Sequence, residues 1–211
     1  MRTLVGLLFL LVHALPAGAQ AVEQVQAVPV SYGTLNQNDL ALRVRNEDVE
    51  IRFIPLDPTV TRLLANDAFQ SLRSLVETRR RAIDSVASRA GVTNPGLALV
   101  SFFGLRPDTR FDPQTLTLLV RNRVFQPLGV IPISAKFTSQ QLNAREQASA
   151  IYLFEEDIPV NDSFSLSYGA LLSEDWQAKQ PIIDRERARV SARARSERAD
   201  TRSERADTTT R

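Results

Sequence analysis

Residues 40–53 read LALRVRNEDVEIRF. Leu40, Leu42 and Val44 are apolar with Ala41 and Arg43 between them. After Arg45-Asn46-Glu47-Asp48 the alternation resumes as Val49, Ile51 and Phe53, with Glu50 and Arg52 facing the other way. Successive side chains of an extended strand point to opposite faces, so this period of two marks half-buried β-structure. The polar 45–48 stretch predicts a hairpin turn, or a bulge within one long strand. A sheet with one apolar face must bury that face against another layer.

Downstream, Asp57-Pro58 offers an N-cap followed by a first-turn proline, predicting a short helix through Leu63-Leu64. A second start follows at Asp67, with Gln70 three residues on as a capping box. From there Phe69, Leu72, Val76, Ile83, Ala87 and Ala90 fall within about 60° of arc at 100° per residue. Gly91 stands where a helix-ending glycine belongs. The reading is one helix near 67–90 with a single apolar stripe, burying Phe69, Leu72, Val76 and Ile83. Strand signals then return. Residues 97–105 (LALVSFFGL) are nearly all apolar, as in a strand covered on both faces. Residues 115–120 form a further strand. Residues 124–133 contain Pro127, Gly129 and Pro132, which suits an irregular edge strand or a crossing segment. Residues 149–154 and 163–168 are strands joined by the acidic loop 155–162. Several short strands separated by turns predict an antiparallel sandwich, mainly β, with the long helix inserted or covering one face.

Upstream, the chain starts with Met1-Arg2-Thr3, an apolar run over 4–15 and Ala17-Gly18-Ala19 before Gln20. That is the layout of a secretory signal peptide over 1–19, too short to span a membrane. Residues 20–38 read as an extended arm, with Val28 and Val30 around Pro29 suggesting an edge strand. Export to the periplasm or beyond is therefore expected, with no membrane span. The chain has no Cys, and its only His (His13) and only Met (Met1) lie in the expected leader. A mature chain without His, Met or Cys has no Ser-His-Asp or Cys-His nucleophile and no ordinary zinc or copper site. No phosphate-binding glycine motif is present.

The charge is uneven. Residues 182–211 hold nine Arg against six Asp or Glu, whereas the body is mildly acidic. An acidic body on an exported protein argues against a nucleic-acid surface. The stretch SERADTR at 196–202 returns as SERADT at 203–208. Its one alanine per seven residues is too little for a coiled-coil seam. Residues 181–211 are expected to be an Arg-rich, low-complexity, solvated tail, helical at most near Ile182-Ile183 and disordered by Ser196. An anionic polymer held by charge is one expected partner, and another envelope protein is the second.

For site chemistry, carboxylates are the route left open, since a glycosidase needs only two acids at a set separation. The candidates are Glu155, Glu156 and Asp157, with Asp108, Asp112 or Asp162. The same loop could hold calcium through clustered oxygens. Lys136 in Ser134-Ala135-Lys136 lacks the one-turn spacing of Ser-Lys catalysis. Phe102, Phe103, Phe125, Tyr152 and Trp176 could line an apolar pocket, though aromatics at strand spacing read first as core. Trp176, past the last expected strand, either staples the tail to the body or faces a partner. Asn161-Asp162-Ser163 is a glycosylation sequon that matters only in a eukaryotic host.

Residues 146–154 (EQASAIYLF), the acidic loop and 164–169 (FSLSYG) resemble the closing hairpin of extracytoplasmic immunoglobulin-like domains of bacterial envelope proteins. Asn143-Ala144 stands where those domains carry Pro-Gly. The resemblance spans residues 142–169. It implies an immunoglobulin-like sandwich of a non-catalytic kind over 39–180 and transfers no functional residue. The expectation is a non-enzymatic binding or structural protein of the bacterial envelope, with no catalytic, cofactor or metal residue assigned. Its rivals are a carboxylate enzyme acting on envelope glycans and a subunit or assembly factor docking through its helix face.

Overall fold

A computed structural model describes residues 29, 30 and 32–209, with side chains described as far as Glu197. The expected leader 1–19 and residues 20–28 of the arm lie outside the described residues.

The alternating stretch forms a hairpin of β1 (Leu42–Arg45) and β2 (Val49–Pro55), in register Leu42↔Phe53 and Val44↔Ile51. Its turn is fixed by Asn46, whose side-chain oxygen accepts the backbone N–H groups of Asp48 and Val49 at 2.9 and 2.8 Å. Asp57 caps α1 (Pro58–Thr61) through the N–H of Thr59, with Pro58 in the first turn. Leu63 and Leu64 lie just past that helix and are fully buried. The long helix α2 runs Asn66–Ala90, one residue earlier than the capping-box reading. Ala65 stands at its N-cap without a side-chain bond, and Asp67 sits in the first turn, where its charge suits the helix dipole. Gly91 closes it at φ +71°, a conformation that favours glycine.

Next come β3 (Gly96–Gly104), β4 (Thr109–Arg110), a 3-10 turn at Pro113–Thr115 and β5 (Leu116–Val120). Then follow β6 (Arg123–Phe125), β7 (Pro127–Pro132), α3 (Lys136–Ser139), β8 (Gln141–Leu142) and β9 (Gln147–Phe154). The chain continues through β10 (Ser165–Tyr168), β11 (Leu171–Ser173) and α4 (Trp176–Thr209). The strands build a five-stranded sheet, β1-β2-β3-β9-β7, and a four-stranded one, β11-β10-β5-β6, with every pairing antiparallel. The irregular 123–132 stretch is both an edge and a crossing. It edges one sheet as β6, then edges the other as β7, with a bulge at Pro127/Gly129.

The arrangement is sandwich-like, with α2 as a third layer. Phe102 of β3 faces the second sheet, where it meets Tyr168 at 6.0 Å between ring centres. Phe111, Phe137 and Tyr152 continue this aromatic cluster, and Phe53, Phe154, Phe164 and Trp176 form a second one. The opposite face of the five-stranded sheet carries the registered rows Ile54–Leu99–Ile151–Ile131 and Leu97–Leu153–Gly129. There α2 packs so closely that a Cβ on Gly129 would lie 2.5 Å from Val86. Near-continuous apolar strands such as β3 therefore read correctly as covered on both sides.

Four expectations are corrected. The helix signal expected only near Ile182-Ile183 extends over Trp176–Thr209, and as far as Ala194 that helix is docked on the body rather than solvated all round. Trp176, Ile183, Glu186, Val190 and Ala194 are buried along one stripe of α4, although Pro181 interrupts its first turns. The arm meets this stripe through Thr34 and Glu186, and the 155–164 loop meets it through Val160 and Phe164 on Trp176. The two strands of the expected closing hairpin do not pair. β9 lies between β3 and β7, β10 lies between β5 and β11, and the acidic loop crosses between the sheets. Pro29 and Val30 form no strand; the arm's β-type pairing among the described residues is the parallel bridge Leu35↔Leu64. Val76, expected in the core, is only half-buried.

Candidate functional site

The half-burial of Val76 marks a concavity among the described residues. A groove of about 340 Å³ opens between α2 and the segment from the end of β2 through α1. Phe69, Leu72 and Val76 form one wall, at the i, i+3, i+7 spacing that puts them on one helix face. Leu56 and Pro58 form the other, and Val30 of the arm closes an end. The one polar residue near the floor, Thr61, already donates its hydroxyl to the Asp57 carbonyl at 3.0 Å. The rim carries Arg62, Arg73, Glu77 and Arg80. Arg73 pairs with Glu77 at 2.7 Å. Arg80 is exposed, and no partner holds it among the described residues.

The arm wall is held from behind by α4. Glu186 accepts the Thr34 N–H at 2.8 Å and the Thr34 hydroxyl at 3.1 Å, and pairs with Arg189 at 2.5 Å. Burial alone would push its carboxyl up. The hydrogen bonds from Arg189 and Thr34 together outweigh that and hold it below the ordinary glutamate range. Tyr32 bonds Glu197, and Arg189 also reaches Thr34. Nothing in the sequence pairs Thr34 with Glu186; both sit in polar stretches with no local pattern.

Four of the acids singled out from the sequence serve separate structural duties. Glu155, Glu156 and Asp157 are exposed. Glu156 pairs with Arg123 at 3.1 Å and Asp162 with Arg121 at 2.6 Å. Asp112 caps the 3-10 turn through the Gln114 N–H, and Asp108 accepts from Gln141. Among the described residues no three acids gather closely enough to hold a cation. Lys136 pairs with Glu146 at 2.8 Å, while Ser134 accepts the Ser149 N–H, so the two are not joined as nucleophile and base.

The aromatic candidates divide. Phe102 and Tyr152 are fully buried, and the Tyr152 hydroxyl donates to the Pro113 carbonyl at 3.0 Å. Phe103 and Phe125 are half-buried beneath Arg52 and Arg123. Trp176 staples α4 to the body. It has no exposure, its indole N–H bonds the Val160 carbonyl at 3.1 Å, and it packs on Phe164 at 4.9 Å.

A second surface gathers cations without an excess of charge. Arg43 and Arg52 stand opposite each other on β1 and β2 and both donate to the Asn38 side-chain oxygen, while Lys179 bonds the Asn38 carbonyl. Glu50, Asp39 and Asp175 lie around them and balance the patch. Among the described residues no helix is long and apolar enough to cross a membrane.

Comparison with known families, with curated proteins and with solved structures gives no match to this chain.

Proposed function

We propose that the chain is an exported, non-enzymatic binding protein of the bacterial cell envelope, built on a two-sheet antiparallel sandwich. The observation that carries this reading is the groove beside α2: an apolar floor under an arginine-bearing rim, with a volume in the range of small-molecule sites. The roles of the carboxylates support binding over hydrolysis, since Glu156 and Asp162 are engaged by arginines and Asp112 by a cap. The leader-like 1–19 stretch supports export. The exposed Arg185, Arg193 and Arg195 of α4 support an anionic polymer or an acidic envelope protein as a further partner, held by an interaction that salt weakens.

The test uses protein purified from its own host. Mass spectrometry should find a mature N-terminus at Gln20 or within a few residues. Solvent extraction should release a small molecule that a Leu72→Trp variant, with the groove filled, no longer carries. Polysaccharide, peptide and ester panels should show no turnover, with or without Ca²⁺. Turnover abolished by Glu155→Gln, Glu156→Gln or Asp157→Asn would overturn the reading in favour of a carboxylate enzyme.

A further inference from the structure

We propose that the groove binds a single-chain fatty acid, its hydrocarbon on the floor and its carboxylate beside Arg80. The proposal rests on the binding reading above and names the ligand class for the same site. The floor decides the tail. Val30, Leu56, Phe69, Leu72 and Val76 present carbon, and the Thr61 hydroxyl is already bonded within the chain. A peptide laid there would leave its amide groups without partners, which is costly away from water. A hydrocarbon chain has nothing to leave unpaired.

Shape and charge decide the rest. The lining runs from Phe69 to Arg80 along α2, roughly 16 Å at 1.5 Å per residue, which suits one extended chain and not a fused-ring ligand. Three arginines against one glutamate give the rim a positive excess, and the Arg73–Glu77 pair already neutralises part of it. Arg80, unpartnered among the described residues, stands at one end of the lining with a planar fork suited to a carboxylate.

The probe is laurate, with dodecanol as its uncharged counterpart, measured by calorimetry and native mass spectrometry on the mature full chain. Laurate should bind one to one. Arg80→Glu should weaken laurate about tenfold or more, the scale of one hydrogen bond to a charged group, and leave dodecanol unchanged. Val76→Trp should abolish both. Dodecanol binding as tightly as laurate, or laurate indifferent to Arg80→Glu, would overturn the carboxylate assignment while leaving a binding groove in place. Failure of both probes would overturn the assignment and count against the binding reading as well. Displacement of laurate by a synthetic QAVEQVQAV peptide (residues 20–28) would give the groove to the chain's own preceding segment. A parent dimer broken by Val76→Trp would give it to a second copy.

Discussion

Glu186 is the residue on which the two ends of the described chain depend. Its carboxylate is 5% exposed and collects donors from Thr34 and Arg189. Replacing it by Gln keeps one oxygen for the Thr34 N–H but removes the charge facing Arg189. A hydrogen bond to a charged group is worth about 1.5–3 kcal/mol, so Glu186→Gln should lower unfolding free energy by about 1–3 kcal/mol. The folded carboxyl titrates below its ordinary value of 4.5. Its contribution is therefore fully present above that value and is lost as pH falls through the lower folded one. Denaturant titrations of parent and variant should differ most near neutral pH and converge in acid. A gap that widens on acidification would show that Glu186 is protonated in the fold. Such a residue is hard to read from sequence, because in a run of alternating Arg and Glu nothing marks the one that faces inward. Trp176 was easier: a lone Trp beyond the last expected strand had to be either a staple or an exposed contact, and it is the staple.

Elements differ in how openly the sequence declares them. The 67–90 helix is plain because six apolar positions share a narrow arc and Gly91 ends it. α4 is obscured because only Ile183, Val190 and Ala194 follow Trp176 on the buried side, and the Arg-rich repeat after them dominates the composition. The strands β9 and β10 are each legible, but their partners are not, since pairing across a sheet is set by non-local contacts. Burial of α4 has a measurable consequence. Ile183 and Val190 are fully buried, each worth about 1.5–3 kcal/mol by area. A chain ending at Gln180 should therefore melt lower by about 5 °C or more, after allowing for the entropy regained by the lost helix. An unchanged melting temperature would mean that the packing of α4 contributes nothing to stability.

At the scale of the whole molecule, alternation and turn spacing announce a two-sheet body with a helical cover. The groove is not announced, because its walls come from the arm, from the turn after β2 and from α2. The wheel places Val76 and Ile83 on one stripe, yet Ile83 is 1% exposed and Val76 lines an opening. Only the packing of neighbouring segments separates them. The contact that fixes the arm joins residues 152 positions apart, from Thr34 to Glu186. Closing so long a loop carries an entropic penalty that local contacts do not share, so this clasp should form late in folding. Glu186→Gln should then leave the refolding limb of a chevron plot in place and speed unfolding about tenfold. A slowed refolding limb would instead place the clasp in the nucleus. If it does close last, the groove beside α2 is the final part of the molecule to mature, and its arm-side wall is the first to open when the protein begins to unfold.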